Sequence, residues 1–272
     1  DGNGCSATDS VTITVNPLPT IDAGASLSIC PGASTTLNGT GGINYSWSPA
    51  GSLSSSTSAN PVASPSSATT YSVIGTDANG CSSSDTVTIF VNGIVITASS
   101  TSSTICNGTS TTLNGTGATS YTWSPSGSLD NAAISNPVAT PTSTTTYTVI
   151  GTAGTGCADT AFVTINVNAL PVINAGSPVS ICSGTTTTLG ASGAVSYIWS
   201  PAGSLTGSTT ATPTSSATST TTYTVVGTDV NGCTSTNTVT VTVNSLPIAS
   251  AGSAASICNG SSTTLGASGG GT

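Results

Sequence analysis

The chain contains no lysine, arginine, histidine or methionine. It has no glutamate or glutamine either, and its eight acidic residues are all aspartate. With a formal charge of −8 and no cation to oppose it, it has nothing with which to neutralise a phosphate backbone, which argues against nucleic-acid binding. The same reasoning excludes attraction to an anionic membrane surface. No apolar run approaches the roughly 18 residues of a membrane span, so no membrane insertion is expected. General acid–base work draws on His, Glu, Asp, Lys, Tyr or Cys. Only Asp, Tyr and Cys occur here, and the aspartates are scattered without a partner nucleophile. The expectation is no enzyme, no catalytic residue and no cofactor.

What is present is periodic. The stretch from Cys30 to Cys81, through Tyr45, Trp47, Tyr71 and Gly80, returns at Cys106, Tyr121, Trp123, Tyr147 and Cys157. It returns again at Cys182, Tyr197, Trp199, Tyr223 and Cys233. The steps 81 − 30, 157 − 106 and 233 − 182 all equal 51, and 106 − 30, 182 − 106 and 258 − 182 all equal 76. Three full repeats follow: 17–92, 93–168 and 169–244. Residues 1–16 read as the end of a truncated repeat, and 245–272 as the start of another.

Within a repeat the pattern is all strand. Tyr71, Val73 and Gly75 alternate with Ser72, Ile74 and Thr76, and Val87, Ile89 and Val91 share one side of a second run. Period-two alternation with β-branched residues is the strand signature. Serine, threonine, glycine and proline punctuate the rest and favour turns over helices. Six or seven short strands per repeat predict an all-β antiparallel sandwich. Trp47, Trp123 and Trp199 read as its core rather than as sugar-stacking platforms, because each repeat has one tryptophan and few other aromatics. The short Pro-containing joints at Pro17–Pro19, Pro171 and Pro247 act as stiff spacers, so the expected array is an extended rod.

Evenly spaced cysteines point to an oxidising, extracytoplasmic setting. No Cys-x-x-Cys or Cys/His cluster offers a metal site. Two pairings compete: within a repeat (Cys30–Cys81) or across a junction (Cys81–Cys106). In a tandem sandwich the last hairpin turn lies at the domain's own N-terminal end. Placing Cys30 at that end favours Cys30–Cys81, Cys106–Cys157 and Cys182–Cys233, with Cys5 and Cys258 left without visible partners. Asp77, Asn79 and Gly80 look like a fragment of a calcium loop. One Asp per loop is few for a cation that takes six to eight oxygens, and an Asn-Gly hairpin turn is the simpler expectation.

Ile29-Cys30-x-Gly32, Trp47-Ser48-Pro49-Ala50-Gly51, Asn60-Pro61-Val62-Ala63 and Asp77-x-Asn79-Gly80-Cys81 resemble the immunoglobulin-like and PKD-like repeats of giant cell-surface adhesins of Bacteroidetes. The resemblance covers the whole chain. It implies tandem immunoglobulin-like β-sandwich domains of 76 residues, extracellular display at the cell surface, type IX secretion and a link to gliding motility. It also implies O-glycosylation at Asp-Ser or Asp-Thr followed by a small or aliphatic residue, which makes Ser10, Thr86 and Thr160 candidates.

The expected function is a structural or adhesive stalk of a large secreted surface fibre. Its partners would be neighbouring repeats of the same chain, surface polysaccharide or other fibre copies. The alternatives are a glycan- or calcium-binding module and a spacer within a secreted hydrolase.

Overall fold

A computed structural model describes residues 2–269. The expected partial repeats 1–16 and 245–272 reach into residues 1 and 270–272, which lie outside the described residues. Among the described residues there are twenty strands and no helix. The chain forms two compact units: residues 1–101, 111–139 and 146–164 make one, and 102–110, 140–145 and 165–272 the other. The second sequence repeat therefore contributes to both units.

The first unit contains β1 (Leu27–Ile29), β2 (Thr35–Thr36), β3 (Asn44–Ser48), β4 (Val62–Ala63), β5 (Thr69–Thr76) and β6 (Ser82–Val91). These form a sheet in the order β1-β6-β5-β3, with the β2-β4 pair as a separate ladder. Alternation sets the core as expected: Tyr71, Val73 and Gly75 on β5 are buried, while Ile74 faces out. Trp47 stands opposite Val73 and is 2% exposed. Its indole N–H donates to the Ser58 carbonyl at 2.9 Å, which satisfies the one polar atom a buried tryptophan carries. Ile21, Leu37, Tyr71, Val87 and Ile89 complete this core. Gly75 is part of the packing, because a Cβ there would lie 2.3 Å from Ile21 Cδ1. The same unit holds a second sheet, β7 (Thr97–Ser100), β9 (Thr111–Thr116) and β11 (Val138–Ala139), ordered β11-β9-β7. It also holds β10 (Ser120–Ser124) paired antiparallel with β12 (Thr145–Thr152), Trp123 facing Val149.

In the second unit, β14 (Val179–Cys182), β16 (Ser196–Ser200), β19 (Thr221–Thr228) and β20 (Thr234–Asn244) repeat the first sheet in the order β14-β20-β19-β16. The strands β15 (Thr187–Thr188), β17 (Leu205–Thr206) and β18 (Thr214–Ser215) form a second ladder. Tyr197, Trp199, Tyr223, Val225, Val239 and Val241 are its buried centre. Here too lie β8 (Thr104–Cys106) and the end of β13 (Ala158–Asn168), paired Asn166↔Thr104 through Asn168↔Cys106.

In each repeat a short early strand (β1, β8 or β14) pairs parallel to the last: Leu27↔Ile89 to Ile29↔Val91, Asn166↔Thr104 to Asn168↔Cys106, and Val179↔Val241 to Cys182↔Asn244. Short early strand parallel to last, then penultimate, then the tryptophan strand, is the order of the immunoglobulin CFG sheet with one early strand attached. This polarity corrects the expected cysteine pairing. Cys30 follows the end of β1 beside Val91, whereas Cys81 precedes Ser82 at the opposite end of β6. The ten residues of β6 hold them about 30 Å apart at the usual strand rise. A disulfide needs Cα atoms within about 7 Å. Cys30–Cys81 does not form, nor do Cys106–Cys157 and Cys182–Cys233, which are separated in the same way.

Candidate functional site

The cysteines that meet are Cys30 with Cys157 and Cys106 with Cys233, with Cα–Cα distances of 5.4 and 5.6 Å. Both pairs are 127 residues apart, which is the 51-residue step within a repeat plus one 76-residue period. Each bond therefore joins the first cysteine of one repeat to the second cysteine of the next. The second repeat is tied at both ends, through Cys157 to the first repeat and through Cys106 to the third.

Local sequence builds the two halves of this clasp. The first half is a strand end followed by a glycine turn. Ala33 N–H donates to the Cys30 carbonyl at 3.0 Å, and Thr109 N–H to the Cys106 carbonyl at 3.0 Å. Gly32 and Gly108 take φ of 78° and 86°, where a side chain would be strained. The second half is the tip of the last hairpin. Ala153 N–H donates to the Cys157 carbonyl at 2.8 Å, and Asp229 N–H to the Cys233 carbonyl at 2.9 Å. Asp77 and Asp229 each turn a carboxylate oxygen back onto two N–H groups of their own tip: Asn79 and Cys81 in the first repeat, Asn231 and Cys233 in the third. These carboxylates serve as the turn acceptors of an Asn-Gly hairpin. Among the described residues no three His, Cys, Asp or Glu side chains cluster as metal ligands would.

At the first clasp the hairpin tip sits against the end of the preceding repeat. Cys157 Sγ lies 3.3 Å from the Asn92 carbonyl oxygen. A Cβ on Gly93 would be 3.1 Å from Pro31, so the junction is closely packed at the position where the other joints carry Pro17, Ala169 and Ser245. A recess of about 220 Å³ remains, lined by Cys30, Pro31, Gly93, Ile94, Cys157, Ala158 and Asp159. The bonded tip cysteines are 4% and 1% exposed. Cys81, Cys182 and Cys258 are thiols; Cys81 is half-buried and the other two are exposed. Cys5 lies on an exposed stretch.

The three glycan candidates Ser10, Thr86 and Thr160 are all exposed. The aspartates before the last two have a structural task that the sequence did not announce. Asp85 accepts from the Ala23 N–H at 2.9 Å, and Asp159 from the Ile96 N–H at 3.0 Å. In the third repeat Asn237 takes this place and donates from its side-chain amide to the Ile173 carbonyl at 2.8 Å. These latches fasten the leading segment of each repeat to its last strand. The N–H groups of Ala23 and then Thr86 lower the Asp85 pKa below its ordinary 3.8, and those of Ile96 and then Thr160 do so for Asp159. A depressed carboxylate stabilises the fold above the unfolded pKa and stops doing so as pH falls through the folded value. Below about pH 3.8, amide exchange at Ala23 and Ile96 is expected to lose protection, and in Asp85→Asn the acid step at Ala23 should vanish. Protection at Ala23 that is flat down to pH 2 in the wild type would contradict the latch.

No protein-family model matches the chain, and no curated protein matches it in sequence. Among solved structures, it is similar to the N-terminal eight Ig domains of Down Syndrome Cell Adhesion Molecule at 12% identity and TM-score 0.42, covering 84% of this chain. The chain spans 37% of that protein's length. An I-band fragment of titin matches at 13% identity and TM-score 0.41, over 85% of this chain and 100% of the fragment. A fragment of mouse cadherin-23 matches at 14% identity and TM-score 0.32, over 85% of this chain and 100% of that one. Such likeness concerns the fold alone.

Proposed function

We propose that this chain is a load-bearing stalk segment of a secreted cell-surface fibre, with a structural and adhesive role rather than a catalytic one. The observation that carries this reading is the stagger of the disulfides. A bond within one repeat protects that repeat alone. A bond from the first repeat to the second and from the second to the third makes a second covalent connection alongside the peptide, so that neither of those junctions depends on packing only. Closing a 127-residue separation is worth about 5 kcal/mol in the chain-entropy estimate, close to the lower end of a small domain's net stability of about 5–15 kcal/mol. The domains need such help, because repeats of 76 residues bury only a modest share of their surface.

The finer reading follows from the resemblance to the giant adhesins of Bacteroidetes: extracellular display, type IX export, a part in gliding, and glycans on Ser10, Thr86 or Thr160. The exposed hydroxyls support the last. Neighbouring repeats are the first partners, with surface polysaccharide or other fibre copies as external ones. Buried Trp47, Trp123 and Trp199 leave the glycan-module alternative without a stacking surface at those positions. The test is the length of the oxidised and the reduced chain under load.

A further inference from the structure

The two clasps differ in what stands over them. The first lies within the first unit and the second within the second. The recess of about 220 Å³ beside Cys30 and Cys157 has room for several waters, at roughly 30 Å³ each. It is smaller than the roughly 300–1,000 Å³ of a drug-sized ligand site, so it admits a molecule of a few heavy atoms. Pro31, Gly93 and Ala158 on its rim are exposed, which leaves it open to solvent. Asp159 is the one charged residue that lines it. Its carboxylate is held in place by the Ile96 N–H at 3.0 Å, and the chain has no cation to neutralise it. One period later the second clasp has Ala169, Leu170 and Ser235 where the first has Gly93, Ile94 and Asp159. Cys30 is half-buried, while Cys157 is buried with its Sγ 3.3 Å from the Asn92 carbonyl oxygen.

We infer that this recess is a binding site for a small cationic thiol, an aminothiol, which opens the Cys30–Cys157 bond ahead of Cys106–Cys233. The inference rests on the stalk reading and adds to it one junction that can be released. The ammonium group sits by the Asp159 carboxylate, and the thiolate approaches the half-buried sulfur of Cys30. The step is thiol–disulfide exchange. The thiolate attacks Cys30 Sγ, the S–S bond breaks, and Cys157 Sγ leaves with the electron pair and takes up a proton. The new S–H is a weak donor and already has an acceptor in the Asn92 carbonyl. A second aminothiol attacks the small-molecule sulfur of the mixed disulfide and expels the Cys30 thiolate, which is protonated in turn. Two small thiols and one protein disulfide thus become two protein thiols and one small disulfide. The first repeat is then covalently joined to the second by peptide alone, while the second stays clasped to the third.

The test compares the two clasps within one molecule, so that each reagent's own reactivity cancels. The oxidised 272-residue chain is treated with cysteamine, which is cationic, or with 3-mercaptopropionate, which is anionic. The thiols freed at Cys30 and Cys106 are alkylated at intervals and quantified by mass spectrometry. Cysteamine should free Cys30 before Cys106. The Cys30-to-Cys106 rate ratio should be about threefold or more higher with cysteamine than with 3-mercaptopropionate, the worth of one exposed ion pair. In about 1 M salt, where the screening length is roughly 3 Å, that preference should collapse. Asp159→Asn keeps an acceptor for the Ile96 N–H and should abolish the preference without salt. A ratio that is the same with both thiols, a preference that survives salt or Asp159→Asn, or release of Cys106 before Cys30 by cysteamine overturns the inference. If Cys30–Cys157 is intact in the untreated chain and the ratio shows no charge preference, this inference fails alone. If Cys30–Cys157 is missing from the untreated chain, the stalk reading fails first.

Discussion

Pulled by its ends, the unfolded oxidised chain is expected to reach only about a quarter of its reduced length between Cys30 and Cys233. That segment is 233 − 30 = 203 residues of peptide. With both bridges intact the shortest covalent route crosses from Cys30 to Cys157, returns along 157 − 106 = 51 residues to Cys106, and crosses to Cys233. At about 3.6 Å per residue, those routes reach roughly 730 and 180 Å. Reduction should therefore release about 550 Å in a single-molecule stretching trace. Cys30→Ser and Cys106→Ser each leave a route of 76 residues, so each should give about 270 Å. Cys182→Ser should change nothing. Within-repeat pairing would give nearly the same oxidised length, but Cys182→Ser would then lengthen the trace by 51 residues. A lengthened Cys182→Ser trace would count decisively against the staggered arrangement.

The second large effect is expected from Trp123→Ala. Trp123 is 2% exposed, and its indole N–H donates to the Ile134 carbonyl at 3.0 Å. Removing a buried tryptophan costs about 3–5 kcal/mol, comparable to much of a small domain's stability. The melting temperature should drop by more than about 12 °C. Ile150→Ala, on the outward face of the neighbouring strand at 47% exposure, should shift it by less than a few degrees. Equal shifts for the two variants would place Trp123 outside the core.

Much of this fold was legible in the residues. The alternation of Tyr71, Val73 and Gly75 placed β5, and the single tryptophan per repeat marked the core, because period two leaves few other arrangements in a chain without helical stripes. The disulfide partners were not legible, for two physical reasons. A perfect period determines cysteine offsets only modulo 76, so separations of 51 and 127 are equally regular. The choice then depends on the direction of β1, a strand of three residues, and three residues carry no signal that separates a parallel partner from an antiparallel one. The Asp85 and Asp159 latches were hidden differently. Each sits where an Asp-Thr pair reads as a modification motif, and only the fold brings Ala23 and Ile96 to their carboxylates.

The staggered clasp is the centre of this account, and peptide mapping of the unreduced protein tests it most directly. Trypsin has no site in a chain without lysine or arginine. A protease that cuts before aspartate divides it at Asp9, Asp22, Asp77, Asp85, Asp130, Asp159 and Asp229, which puts Cys30, Cys81, Cys106, Cys157 and Cys182 on separate peptides. The account predicts peptide 22–76 joined to 130–158, and 85–129 joined to 229–272. Peptide 22–76 joined to 77–84, with 85–129 joined to 130–158, would contradict it.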